Sequence, residues 1–328
     1  MPLITSARMF AWRSLASTLV GVALAAAGCA APNARDPGAP RAVEVAPGVY
    51  AMQGAPGEVD STTLGRVGNA GFVVGATGVL AIDTGTSYRH GRLLLDEIHR
   101  VTSKPVREVL ITHVRQEFLF GTVAYREQGI PVAMHHQSAQ LMASRCETCL
   151  KTLRRVLGED EMRGTSMFKP DREFEASQDL DLIGRPVKVL YFDHSSGPGD
   201  IAVLDMPTRT LFAGGLLDWK RIPDIQDSEF PGWRNALDTL RRMALAAIVP
   251  GHGPVATRNA NDVIDANERY LNQLEVRVLE LLKKGAALSE VADSSSLDDF
   301  KDWDQYDTVH RRNASVLFVR KEREQMFE

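Results

Sequence analysis

From Val43 onward, apolar and polar residues fall into short blocks whose period changes several times. "GVYAMQG" (48–54) and "AGFVVGATGVLAIDTG" (70–85) are β-rich runs bounded by glycine. They predict strands, with Gly75 to Gly78 making a hairpin turn. "SYRHGRLLLDEIHRVT" switches to helical spacing, with Leu93, Leu94 and Ile98 on its apolar face. "REVLITH" then reads as a strand, "GTVAYREQG" as a short helix, "PVAMH" as a strand, and the stretch through "RCETCLKTLRRVLG" as one long helix. "PVKVLYFDHS", "GDIAVLDM" and "RTLFAGGLLDW" predict three more strands, followed by a helix over "FPGWRNALDTLRRM" and a strand over "LAAIVPGHG". Asn261 to Lys284 predicts one helix and roughly Tyr306 to Glu324 a last one, with a polar linker between them. Strands and helices thus recur in two similar halves. The arrangement that buries both is an α/β four-layer αββα sandwich, two packed sheets with helices outside, here with additional C-terminal helices.

The first residues read differently. "MPLITSARMFAWR" carries Arg8 and Arg13 and no acid, and "SLASTLVGVALAAAG" is apolar but too short to span a bilayer. Residues 1–29 therefore read as a secretory signal. Its end, "AAGC", resembles a bacterial lipobox, which implies lipidation of Cys29; Ala26 stands where the commonest pattern has Leu, so plain cleavage near Ala27 or Ala31 is the alternative. Residues 30–42, "APNARDPGAPRA" and its flanks, form a Pro/Gly/Ala tether, and residues 43–328 form the folded domain. The expected location is the periplasmic side of a bacterial membrane, held by an N-terminal lipid, or else the soluble periplasm. With a net charge of −4 and no long basic block, the chain has no electrostatic footprint for nucleic acid. Export leaves Cys146 and Cys149 as an even pair, three apart on a helix. Their α-carbons stand about 5–6 Å apart there, within disulfide range, and a structural disulfide is the expectation. Thiol exchange by this CxxC, and zinc binding with His135 or His136, are weaker readings, because the pair sits mid-helix and lacks ligand spacing.

Three histidines follow predicted strands, the last two with glycines close by: His113 in "LITH", His194 in "YFDHSSGPGD" and His252 in "IVPGHGP". Imidazoles on such tight loops are what a shared metal or catalytic centre requires. With "GFVVGATGVLAIDTG", "ITHVRQEFLFG", "DHSSGPGDIAVLD", "LFAGG" and "IVPGHGP" in this order, the chain resembles the metallo-β-lactamase-fold superfamily over residues 43–328. "GNAGFVVG", "FGTVAYREQGIPVAMHH" and "YDTVHRRNASVLFVRKERE" resemble the quinoprotein relay system zinc metallohydrolase branch.

The resemblance implies a T-H-x-H-x-D-H motif, a further His, an Asp after "AG" and a final His, which hold two zinc ions and a bridging hydroxide. Residue by residue, His113, His194 and His252 match. Arg115, Glu117 and Phe118 stand at the motif's second His, its Asp and its last His, and Gly215 stands at the bridging Asp. A guanidinium is not a ligand, and at ~4 Å from a divalent ion its repulsion is on the order of 8 kcal/mol at an effective dielectric of 20. That offsets much of the ~10–16 kcal/mol of a structural zinc site. The sequence thus argues against two zinc ions and leaves none, or one held by His113, Glu117, His194 and His252. Asp218 lies three residues beyond the bridging position, too far to replace it without a loop shift. The family places Asp83 and Asp200 where they brace the histidine loops, and it places a flap over the pocket at Gly57 to Gly68.

Two functions follow as expectations. One is a non-catalytic or weakly active accessory protein in which Arg115 holds a small molecule or anionic ligand, beside periplasmic quinoprotein dehydrogenases as the branch resemblance implies. The other is a mono-zinc hydrolase that cleaves an ester, thioester or lactam-like bond with a zinc-bound hydroxide. A third arrangement is a closed pocket, with Arg115 paired to Glu117 and packed by Phe118 and Phe120.

Overall fold

In the computed structural model, residues 39–327 are described; the expected signal segment, Cys29 and most of the tether lie outside the described residues. Seven strands form one sheet in sequential order: β1 (Ala42–Ala46), β2 (Val49–Met52), β3 (Ala70–Val74), β4 (Val79–Ile82), β5 (Val106–Ile111), β6 (Val132–His135) and β7 (Arg172–Phe174). The second sheet contains β8 (Gln178–Leu180), β9 (Val187–Tyr191), β10 (Ile201–Asp205), β11 (Thr210–Phe212) and β12 (Ala247–Val249), in the order β12-β11-β10-β9-β8. Helices α1 (Tyr88–Val101), α2 (Gln116–Leu119), α3 (Thr122–Glu127) and α4 (His136–Leu157) belong to the first half. Helices α5 (Phe230–Arg241), α6 (Ala260–Lys283), α7 (Leu288–Ser294) and α8 (Arg311–Phe327) belong to the second.

The alternation within strands explains the layering. Leu80 and Ile82 of β4, Leu110 of β5 and Ala133 of β6 meet Ile201 and Val203 of β10, Phe212 and Val249 in a core between the sheets. The residues between them (Val79, Ala81, Val109, Ile111, Val132, Met134) turn outward to α1, α3 and α4. On the other side, Ala202 and Leu204 of β10 face Trp233, Leu237, Tyr270 and Phe318 of the second helix layer. Strands apolar on both faces are thus buried on both faces, which gives the expected four layers.

The differences are local. Strands β7 and β8 run "REF" and "QDL", polar edge segments with no apolar alternation to reveal them. On α1, Leu94, Leu95 and Ile98 are buried, while Leu93 is only half-buried. The polar linker contains helix α7, held by buried Val291. Among the described residues, no helix is long and apolar enough to cross a membrane.

Candidate functional site

Loops following β4, β5, β11 and β12 come together at one edge of the sandwich. Asn69 ties them across the two sheets: its amide donates to Pro250 O and Gly253 O, both at 2.9 Å, and its Oδ1 accepts from Gly54 N at 2.9 Å. After β4, Asp83 takes a positive φ of 60° and accepts bonds from Thr112 N (2.9 Å) and Thr112 Oγ1 (2.8 Å to Oδ2). Thr112 Oγ1 in turn lies 2.8 Å from His113 Nδ1. Asp83 therefore sets the His113 ring through one hydroxyl. Burial raises the Asp83 carboxyl to about 7 against the Thr112 bonds. Asp200 accepts from Ser196 Oγ at 2.7 Å, and burial raises it to about 6.

The floor of the site consists of His113, Phe118 and His252, all buried. Phe118 lies between the two imidazoles, with ring centroids 4.2 Å from His113 and 5.1 Å from His252. It also closes against Gly68, where a Cβ would stand 2.7 Å from the ring. Burial first, then the Arg115 charge, pull the His113 pKa down to about 3, so this ring is neutral at ordinary pH. Both nitrogens of His252 are occupied: Nδ1 at 2.8 Å from Asp218 Oδ1 and Nε2 at 3.2 Å from Glu117 Oε1. Burial works against its charge, but Asp218 and then Glu117 raise its pKa. Burial likewise opposes the Glu117 carboxylate, yet the His252 bond and charge, with Arg115, hold it down at about 2. The result is a buried Asp218–His252–Glu117 chain in which a carboxylate oxygen faces each imidazole nitrogen and favours the protonated ring.

Above this floor lies a cavity of about 390 Å³ whose mouth is charged. Arg115 donates from Nη1 to Asp224 Oδ2 at 2.5 Å, and Arg312 donates from Nη2 to the same oxygen at 2.5 Å. Arg145 pairs with Asp227, and Arg221 with Asp304 at 2.7 Å. The expected Arg115–Glu117 pair is not formed. The two residues stand two apart at the start of α2, where side chains diverge, so Arg115 reaches Asp224 while Glu117 reaches His252. Glu58 and Val59 bring the 57–68 loop to the cavity. This loop is pinned by Gly57 N to Asp304 Oδ2 (3.0 Å) and by Thr308 Oγ1 to Glu58 Oε1 (2.7 Å).

Most of the residues singled out in the sequence meet here, but His194 does not. Its side chain is exposed and donates from Nε2 to Asp227 O at 2.6 Å. Trp233 is core, with Nε1 donating to Leu216 O at 2.9 Å, and Trp219 packs edge-on to Trp303. Cys146 and Cys149 line the cavity as free thiols, so the expected disulfide is not formed here. His135 stacks on Tyr191 at 3.9 Å and His136 bonds Glu173 at 2.6 Å; neither joins the cysteines in a metal-holding group among the described residues. Asp224, Arg312 and Asp227 were missed in the sequence, because exposed-looking charges on a loop and a helix carry no local signal.

The residues present do not fit the superfamily's zinc centre. Phe118 fills the space between two would-be ligands, and both nitrogens of His252 are spoken for. Gly215 has no room for the bridging carboxylate, since a Cβ there would meet Asp200 Oδ2 at 2.8 Å and His113 Cδ2 at 2.9 Å. Among the described residues, no group of three His, Cys, Asp or Glu side chains is placed to hold a metal ion.

Comparison with known proteins agrees with the fold. A metallo-beta-lactamase superfamily model matches residues 63–252, more than half of the sequence, and the chain belongs to that superfamily. Solved structures with the same fold include a metallo-beta-lactamase from Pontibacter korlensis, with a TM-score of 0.58 and 20% identity over 71% of this chain and 99% of that one. DIM-1 metallo-beta-lactamase exposed to ceftazidime gives 0.56 and 14% over 71% and 96%. TMB-1 gives 0.55 and 15% over 71% and 97%. Likeness at this level is one of fold, not of activity. A curated relative, the linear primary-alkylsulfatase of Pseudomonas sp. (strain ATCC 19151), is 20% identical over 255 residues, 67% of this chain and 48% of that protein. The chain thus spans about half the length of that relative.

Proposed function

We propose that this chain is a binding member of its superfamily, in which the metal centre has been rebuilt into a pocket for a small organic anion. The observation that carries the reading is the pair Arg115 and Arg312 sharing the single carboxylate of Asp224 at the cavity mouth. Among the described residues, the hydrogen bonds of these two guanidiniums all go to Asp224, and most of their N–H donors stay unused. A carboxylate or sulfate that enters the cavity finds donors in fork geometry without displacing the buried chain beneath. Val59, Leu141, Ile222 and Val309 line the same cavity and suit an alkyl portion. The alkylsulfatase relative supports an anionic ester or acid with an apolar tail as the ligand class.

The sequence features support a cellular setting for this role. The signal-like residues 1–29, Cys29 and the tether favour a lipid-anchored periplasmic protein, and the branch motifs favour an accessory role beside quinoprotein dehydrogenases. The mono-zinc hydrolase reading is disfavoured by the outward turn of His194 and the occupied nitrogens of His252.

Calorimetric titration with hexyl sulfate and hexanoate tests the pocket. Binding should weaken at least about tenfold in Arg115→Ala, the ~1.5–3 kcal/mol of a charge-assisted bond, and recover only in part in Arg115→Lys, which lacks the planar fork. Equal affinity in wild type and Arg115→Ala would refute the reading.

A further inference from the structure

The helix α4 places two sulfurs in the wall of this cavity. Cys146 is 1% exposed, whereas Cys149, one turn on, is half-buried, and both line the cavity together with Arg115 and Arg145. The two side chains lie three residues apart on the same helix face, and Cys149 Sγ lies 3.7 Å from Arg145 O. A structural bridge between them would close a loop of only a few residues inside an already formed helix, where cross-linking removes little chain entropy. Stability therefore does not account for a pair of cysteines at a cavity wall.

We infer that Cys146 and Cys149 form a reactive dithiol that exchanges with small disulfides entering the cavity, Cys149 attacking and Cys146 resolving. The half-buried sulfur is the one a substrate can reach. The neighbouring Cys146 thiol lowers the Cys149 pKa against burial, while the Cys149 neighbour and burial raise that of Cys146. This is the division of labour that exchange requires. The Cys149 thiolate attacks one sulfur of R–S–S–R, the S–S bond breaks, and the first thiolate leaves. Cys146 then gives its proton to that leaving thiolate and attacks the Cys149 sulfur, which expels the second. Two electrons pass from the protein dithiol to the disulfide, leaving a protein disulfide and two small thiols. Arg115 and Arg145 favour a disulfide bearing carboxylates, but the exchange itself does not depend on the anion-binding reading.

The test uses the full chain in a Cys29→Ser background, reduced with a phosphine that is then removed. The probes are 5,5′-dithiobis(2-nitrobenzoate), a dianion, and bis(2-hydroxyethyl) disulfide, which is neutral. The native protein should release both thiol halves of each probe and lose two hydrogens in mass. Cys146→Ser should stop at a mixed disulfide with one half released, and Cys149→Ser should not react. Arg145→Ala should slow the dianion several-fold more than it slows the neutral probe. Native protein that reacts only after unfolding, or two serine variants that behave alike, would overturn the proposal; the first comparison needs no variant to fold. Reaction with the neutral probe in a chain that binds no hexyl sulfate would separate the dithiol from the anion pocket.

Discussion

The floor and the mouth of the cavity are built on opposite principles. At the floor, His113, Phe118 and His252 are buried, and the polar atoms of His252 are consumed by Asp218 and Glu117. At the mouth, Arg115 and Arg312 crowd one carboxylate and keep most of their donors unused, while Arg115 is still 24% exposed. A buried, mutually satisfied group gains nothing from a new ligand, whereas an under-satisfied charged fork at a water-filled rim gains a partner. The difference underlies the proposed reading, in which recognition lies with the arginines rather than at the place where the superfamily holds metal.

Phe118→Ala should break the floor with the largest effect. Truncating a side chain 1% exposed costs about 3–5 kcal/mol, read by denaturant unfolding, and the gap opens between the two imidazoles. Glu117→Gln should cost about 3 kcal/mol, because it strips one partner from a buried charge. It should also change the acid limb. With its folded pKa near 2, below the usual 4.5, Glu117 contributes stability that is present above pH 4.5 and lost as pH falls through about 2. The variant should lose that share of acid sensitivity in a stability–pH profile. Gly215→Asp sharpens the comparison at smaller scale. Restoring the family's acid should destabilise by about 1–3 kcal/mol through overpacking, since its Cβ starts within 2.9 Å of both Asp200 and His113. It should not by itself create zinc binding.

Much of this was legible in the sequence, and the reasons are physical. The recurrence of strands and helices in two similar halves pointed to two packed sheets with helices outside, and the structure buries "VLAI" and "IAVLD" on both faces. Helix α6 runs Ala260–Lys283, one residue from its predicted bounds, because its apolar period is long and unbroken. Strands β7 and β8 escaped because polar edge strands owe their form to neighbours rather than to pattern. At the site, His113 and His252 could be brought together from their strand-end positions, and Glu117 through its place in the resembled motif. The partner of Arg115 could not, since Asp224 lies 109 residues away on a loop with no periodic signal. The loss of His194 from the cluster is a matter of side-chain direction after β9, which a motif does not encode.

The central claim is that this cavity no longer holds zinc. The most direct measurement is metal per chain by elemental mass spectrometry, on protein produced in a zinc-supplemented periplasm and mildly dialysed. The account predicts a value near zero, with hexyl sulfate binding undiminished by a chelator. A value near one zinc that falls in His113→Ala and His252→Ala would contradict it.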